Sequence, residues 1–271
     1  MDSKWSVNGG RSCIDPADRG LAYGDGLFET MAANEGAIRW LDYHLERLVD
    51  GCARLEIPLP DRGRIERWIA RDLPRGSRAI VKLIVTRGGG ARGYSPPSHP
   101  EPNVIIGISS WSDPPASHYT EGLVLATCGL RLGENPRLAG LKHLNRLEQV
   151  LAQLELRGRG VDEGLLLSAG NKVVSGTSNN VFAVHEGAVR TPRLDTCGVS
   201  GVMRRLAIEF CRAHAIRVDE VDIEPDELLR ADELFVTNAL HGVRPVRALD
   251  ATAFELGAVT RAIASGLGSM R

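Results

Sequence analysis

Leu138-Ala139-Gly140-Leu141-Lys142-His143-Leu144-Asn145-Arg146-Leu147-Glu148-Gln149-Val150 places a single primary amine between a glycine-containing loop and a leucine-spaced helix. Leu144, Leu147, Leu151 and Leu154 recur at helical spacing and predict a helix that ends at the glycines of 158–160. Lys142 is one of only four lysines among 33 basic residues, the others being Lys4, Lys82 and Lys172. Lys82 sits inside an apolar strand pattern, Lys172 in a turn and Lys4 near the terminus. An amine half-shielded by neighbours such as Leu141 loses its proton more readily, which favours Schiff-base chemistry. Taken alone, Lys142 is better read as a lysine that snorkels to solvent from a helix start.

Outward from this stretch the chain alternates strand-like and helical segments. Strands are expected at 123–127, 163–168, 172–174, 180–184 and 188–190, with turns at Ala169-Gly170-Asn171 and Glu186-Gly187. A helix over 202–214 and strands at 216–221 and 233–237 follow. Towards the N-terminus a short strand at 37–40 precedes a helix that Asp42 can cap, with Leu45, Leu48, Cys52 and Leu55 on one face. A second helix near 64–72 leads into strands at 79–86 and 103–110. The segment around Asp113-Pro114-Pro115 has no periodicity and reads as a linker. The expected class is α/β in the mixed α+β sense. A smaller N-terminal α/β domain (1–112) and a linker (113–122) precede a larger C-terminal α/β domain (123–271) that carries Lys142.

Two further loops can hold an anion. Gly198-Val199-Ser200-Gly201 runs straight into the 202–214 helix, where free N–H groups and the helix dipole converge; an ordinary capped helix start has the same look. Arg87-Gly88-Gly89-Gly90-Ala91-Arg92-Gly93-Tyr94 could offer two guanidinium forks, or be an arginine-bearing surface loop. No helical pattern follows it, so it is not a dinucleotide fingerprint.

Composition excludes other classes. The formal net charge of -1 gives no concentrated positive field for nucleic acid or an anionic membrane. Five widely spaced cysteines without a C-x-x-C pair argue against a disulfide framework or thiolate metal site. Seven histidines show no H-E-x-x-H spacing, so no metal is expected, and no G-x-S-x-G supports a hydrolase. The first twenty residues hold no apolar run, and nothing approaches the ~18 apolar residues of a membrane span. A reducing cytoplasm is the expected location.

Tyr23-Gly24-Asp25-Gly26-Leu27-Phe28-Glu29, His44-Leu45-Glu46-Arg47-Leu48, the stretch around Lys142, Ser178-Asn179-Asn180-Val181-Phe182, Gly201-Val202-Met203-Arg204 and the 233–239 segment occur in one order along nearly the whole chain. Together they resemble the fold-type IV pyridoxal-phosphate (PLP) enzymes, the branched-chain and D-amino-acid transaminase class. Within that class, the stretches 87–95 and 138–150 resemble the aminodeoxychorismate lyase branch, with weaker support from Asn238-Ala239-Leu240.

The resemblance implies two α/β domains with PLP at their interface and Lys142 as the Schiff-base lysine. It implies Arg47, the helix start at Val202 and Met203, and Asn238 as phosphate ligands. Arg92 and Tyr94 occupy the loop that in the D-amino-acid transaminases grips the substrate carboxylate from the partner subunit, so a homodimer with shared sites is implied. Thr30 is a further substrate-side candidate. One position departs from the pattern: Ser175 stands where the family places the glutamate that keeps the pyridine nitrogen protonated. A hydroxyl carries no charge and deepens the electron sink less than a carboxylate. That favours elimination, in which the electrons leave with the departing group, over transamination; impaired catalysis would leave the same mark. The implied reaction converts 4-amino-4-deoxychorismate to p-aminobenzoate and pyruvate. A transaminase of the same fold is the alternative, and a non-catalytic PLP-binding relative the next.

Overall fold

The computed structural model describes residues 3–10, 13–90 and 92–268. The chain divides into two compact units, one of residues 1–112 with 142–145, the other of 113–141 with 146–271.

In the first unit, β1 (Lys4–Val7), α1 (Arg19–Tyr23), β2 (Gly26–Asn34), β3 (Ala37–Ile38), α2 (Leu41–Arg54), α3 (Arg62–Asp72), β4 (Ala79–Thr86) and β5 (Asn103–Ser110) follow in order. The strands form an antiparallel sheet ordered β1-β5-β4-β2-β3. Period-two alternation decides its two faces. Leu27, Glu29 and Met31 of β2, with Val81, Leu83 and Val85 of β4, are buried, and α2 and α3 pack against the sheet through Leu45, Leu48, Cys52, Ile65 and Ile69. Phe28, Thr30, Lys82 and Ile84 point to the other, half-buried face. The helix expected to be capped by Asp42 instead starts two residues earlier, at Leu41. Trp40 takes the cap position in the left-handed region, and Asp42 in the first turn pairs with Arg62.

In the second unit, α4 (Ser117–Thr120) occupies part of the expected linker. Then come β6 (Leu123–Leu132), α5 (Leu147–Leu156), β7 (Glu163–Ser168), β8 (Val173–Gly176), β9 (Asn180–His185), β10 (Ala188–Pro192), α6 (Val202–Ala213), β11 (Val218–Val221), α7 (Pro225–Leu228), β12 (Glu233–Asn238), β13 (Gly242–Leu249), β14 (Thr252–Ala253) and α8 (Ala258–Gly266). Nine strands form one mixed sheet, ordered β11-β10-β9-β12-β13-β6-β7-β8 with β14 beside β13. A core of Leu123, Leu165, Val181, Leu234, Val236 and Phe254 is separate from a second cluster in which Ala152 and Leu156 of α5 meet Ala126, Leu166 and Val174. The leucine spacing that predicts α5 marks its outer face: Leu147, Val150, Leu151 and Leu154 are exposed, Leu147 by 70%.

Candidate functional site

Lys142 is not at the head of a helix. α5 starts at Leu147, and Lys142–Asn145 groups with the first unit rather than with the C-terminal domain expected to carry it. The physical reason lies in β2. Its short partner β3 reaches only Ala33 and Asn34, which leaves backbone groups at the Gly26–Phe28 end to be satisfied. Residues 142–144 satisfy them: Phe28 N–H donates to Lys142 O (3.0 Å), and Leu144 N–H to Gly26 O (3.0 Å). Leu27 and His143 form an antiparallel bridge. A Cβ at Gly26 would lie 2.4 Å from Val85 O and 2.9 Å from Leu144 Cδ1, so glycine is needed for this approach.

The consequence for Lys142 is a specific neighbour. Its ammonium nitrogen lies 4.3 Å from the centroid of the Phe28 ring. Lys82 Nζ lies 5.1 Å from the same centroid. Thr30 is two residues beyond Phe28 on the same strand face and sits opposite Lys82 in the β2–β4 register. Lys82, read from sequence only as part of an apolar strand, therefore shares this face with Lys142. Its half-buried position between buried Val81 and Leu83 is the alternation signal that could have found it.

Arg47 projects from α2 onto Glu29. Its Nε and Nη2 donate to the two carboxylate oxygens at 2.8 and 2.5 Å, and His44 Nδ1 lies 2.6 Å from Oε2. Burial pushes the Glu29 carboxyl up, but the Arg47 charge and the His44 and Arg47 hydrogen bonds outweigh it and hold the pKa down at about 2. This pair fixes the direction of the guanidinium. Sequence reading picked out Arg47 and passed over Glu29, although an acid at the inward position between Leu27 and Met31 is a visible anomaly.

The 87–95 loop divides its arginines. Arg87 is buried and bound to Asp25, Leu55 O and Glu56 O, so it is not the second anion fork expected of this loop. Arg92 is exposed, and Tyr94 is 84% exposed with its ring 5.4 Å from that of Tyr23.

In the second unit, α6 begins at Gly201 with no side-chain cap hydrogen bond, so the backbone N–H groups of its first turn, at Val202 and Met203, have no partner within the helix. Asn180 shapes the approach. Its Nδ2 donates to Val199 O (2.9 Å), and a Cβ at Gly201 would fall 2.1 Å from its Oδ1. Gly140 and Ser200 tie the two loops together through Gly140 N–H to Gly198 O and Ser200 N–H to Gly140 O. Ser175 is buried in β8, its hydroxyl donating to Gly176 O at 2.8 Å. Asn238 Nδ2 donates to Asn179 Oδ1, and Oδ1 accepts from the N–H groups of Leu240 and His241. That side chain builds the 238–241 turn.

These features suit a phosphorylated aldehyde cofactor such as PLP: an amine against an aromatic face, an orientated arginine and an uncapped helix start. Among the described residues no group of three or more His, Cys, Asp or Glu could hold a metal ion. None of the helices searched is long and apolar enough to cross a membrane.

Residues 26–249 match the family model for amino-transferase class IV. The chain is 36% identical over 260 residues to an aminodeoxychorismate lyase of Vibrio harveyi, covering 93% of this chain and 94% of that protein. The crystal structure of 4-amino-4-deoxychorismate lyase from Pseudomonas aeruginosa superposes with a TM-score of 0.93 at 43% identity, covering 97% and 98% of the two chains. A D-alanine aminotransferase of Bacillus licheniformis is 26% identical, covering 90% of this chain and 86% of its own length.

Proposed function

Because the chain belongs to the amino-transferase class IV family, we propose that it is a PLP-dependent 4-amino-4-deoxychorismate lyase that releases p-aminobenzoate and pyruvate. The observation that carries this reading is the near full-length similarity to two proteins of that name, at 36% and 43% identity. Lys142, Arg47, Ser175 and the first turn of α6 are the groups we assign to the cofactor. When bound, PLP supplies the electron-withdrawing ring that acidifies the C–H next to the substrate amine.

The residues of the chain do the rest. The amine of Lys142 takes the proton from ring carbon C4, acting as general base. The electron pair left behind forms the new ring double bond as the C–O bond on the neighbouring carbon breaks. The enolpyruvyl group departs with that bond pair, takes up a proton and becomes pyruvate, while the ring becomes aromatic. Thr30, on the strand face of Phe28, is the hydroxyl we assign to the leaving oxygen. The substrate has two carboxylates, and Arg92, assisted by Tyr94, takes one of them. Lys82 is the cation for the other. Since aromatisation drives the reaction, the protein chiefly has to orient the C4–H bond. Ser175, without a carboxylate's charge, suits elimination better than amino transfer.

The test supplies purified protein with enzymatically made aminodeoxychorismate and follows both products, with Lys142→Ala as control. Equal release of p-aminobenzoate and pyruvate, absent from the variant, is expected. PLP-loaded protein that releases neither sinks the assignment. The second reading, a transaminase, is favoured by the D-alanine aminotransferase similarity; it requires amino transfer to a 2-oxo acid.

We further propose a homodimer. The exposed Leu147, Val150, Leu151 and Leu154 form an i, i+3, i+4, i+7 stripe on α5, an arrangement a second copy would cover. Leu151→Lys should shift the protein from dimer to monomer mass in sedimentation; an unchanged dimer removes α5 from the interface. Five free cysteines suit a reducing cytoplasm.

A further inference from the structure

We infer that Arg19 is a positioning residue for substrate binding: its buried guanidinium clamps the loop that carries Arg92 and Tyr94. This rests on the assignment of that loop to the substrate carboxylate and adds what holds the loop in place.

Arg19 is the first residue of α1 and is only 4% exposed. An arginine so buried must find partners for its donors. Its Nε donates to Asp25 Oδ2 at 2.8 Å. The outer nitrogens reach across to three consecutive backbone carbonyls: Nη1 to Gly93 O at 3.0 Å and Ser95 O at 3.3 Å, and Nη2 to Tyr94 O at 2.9 Å. The flat fork thus reads the loop backbone and leaves the side chains of Arg92 and Tyr94 outside. Behind it, Asp25 also accepts from Arg87, whose Nε and Nη2 lie at 2.8 and 3.0 Å. Burial raises the Asp25 carboxyl, but the Arg87 and Arg19 hydrogen bonds and charges more than offset this, and it stays ionised below its ordinary value. One carboxylate therefore anchors two arginines.

A second attachment lies at the surface. Tyr23, one turn along α1, accepts Gly93 N–H on its hydroxyl at 3.3 Å. The Tyr23 ring meets the Tyr94 ring, and the Arg19 guanidinium lies 4.9 Å from the Tyr23 centroid. Gly93, at φ +105, supplies a backbone conformation that L side chains rarely adopt. The loop's root is pinned as well: Arg19 N–H donates to Gly88 O, and Asp18 bridges Gly89. A loop held this way has its ordering entropy met on folding rather than on substrate binding, so the clamp acts on substrate affinity.

Arg19→Lys keeps the charge but cannot present a fork to three carbonyls. Tyr23→Phe, at a half-exposed site, removes only the acceptor for Gly93 N–H and keeps the ring. Both are made as PLP-loaded protein with thermal stability checked, and amide hydrogen exchange is followed over 88–96 beside lyase kinetics. The expected result is exchange faster by about tenfold or more in that segment, with KM raised about tenfold and kcat and PLP affinity within about twofold of the parent. Tyr23→Phe should shift both in the same direction by less. Unchanged exchange in folded Arg19→Lys and Tyr23→Phe overturns the clamp; faster exchange with unchanged KM overturns its role in substrate binding. Arg92→Ala in the same assay separates the two ideas: if it leaves KM unaltered, the loop's assignment to the carboxylate fails on its own, whatever the exchange data say.

Discussion

Glu29 in the first unit and Glu163 in the second are both buried carboxylates whose oxygens are ringed by donors, yet the donors differ in kind. Glu29 is gripped by the Arg47 guanidinium and by His44. Glu163 is held by neutral groups: the N–H groups of Gly164 and Thr177, the hydroxyls of Thr177 and Ser178, and the amide of Asn179. The contrast extends to the candidate ligands around each. Lys142, Lys82, Arg47 and Arg92 give the first unit its cations, whereas Ser175 and the bare start of α6 offer dipoles without net charge. A cation paired with a buried carboxylate is fixed in direction, which suits gripping an anion. Neutral donors around a carboxylate fix a backbone turn, here 177–179, and through Asn179 they reach Asn238 and Arg244.

The sharpest break of this comparison removes the reacting amine. Lys142→Ala should lower p-aminobenzoate formation by about a thousandfold or more with the fold retained; a loss of less than about tenfold would mean that Lys82 on the same face can stand in. Next is Glu163→Ala, which leaves several buried donors without an acceptor. It should lower unfolding free energy by about 3 kcal/mol, measured by urea titration, and a value below about 1 kcal/mol would show that the turn holds itself.

The ion pair with Arg47 gives Glu29 a pH signature of its own. Its carboxyl is held at about 2 against an ordinary 4.5, so the unfolded chain takes up the proton first as pH falls. The contribution to stability is complete above pH 4.5 and is lost as pH drops through about 2, a swing on the order of 3 kcal/mol. Glu29→Gln should flatten that part of the stability profile and weaken PLP binding through a less well-directed Arg47. An unaltered acid profile would show that the pair contributes nothing. The smallest effect is expected for Ser175→Glu. Adding charge to the neutral side should leave the lyase rate within about tenfold but, with D-alanine added as amino donor, raise slow conversion of bound cofactor to its amine form with release of the 2-oxo acid, read from the absorbance spectrum; no such conversion removes Ser175 from the choice of reaction.

Much of the fold was legible because alternation and helical spacing are local. β4, β5, β7 and α6 lie close to where the periodicity put them. Lys142, Arg47 and the 198–201 helix entry stood out as candidates from residue type and order. Asp42 was misjudged because the helix starts at Leu41, after a left-handed Trp40 that no composition rule announces. The leucines of α5 announced a helix but not which side of it faces the core; that depended on Ala152 and Leu156 meeting β6 and β7.

Sequence alone determined the chemistry available: few lysines, glycine-bounded loops, no metal-ligand spacing, and a serine at 175. Tertiary structure alone decided what each charged group does. Lys142 lies on β2 because β3 is too short to satisfy the backbone there. Arg87 is spent internally while Arg92 is exposed, and Arg19 holds a loop some 75 residues away in sequence. Hydrogen bonds and buried ion pairs depend on distances of a few ångströms between segments remote in the chain, and no local pattern encodes those distances.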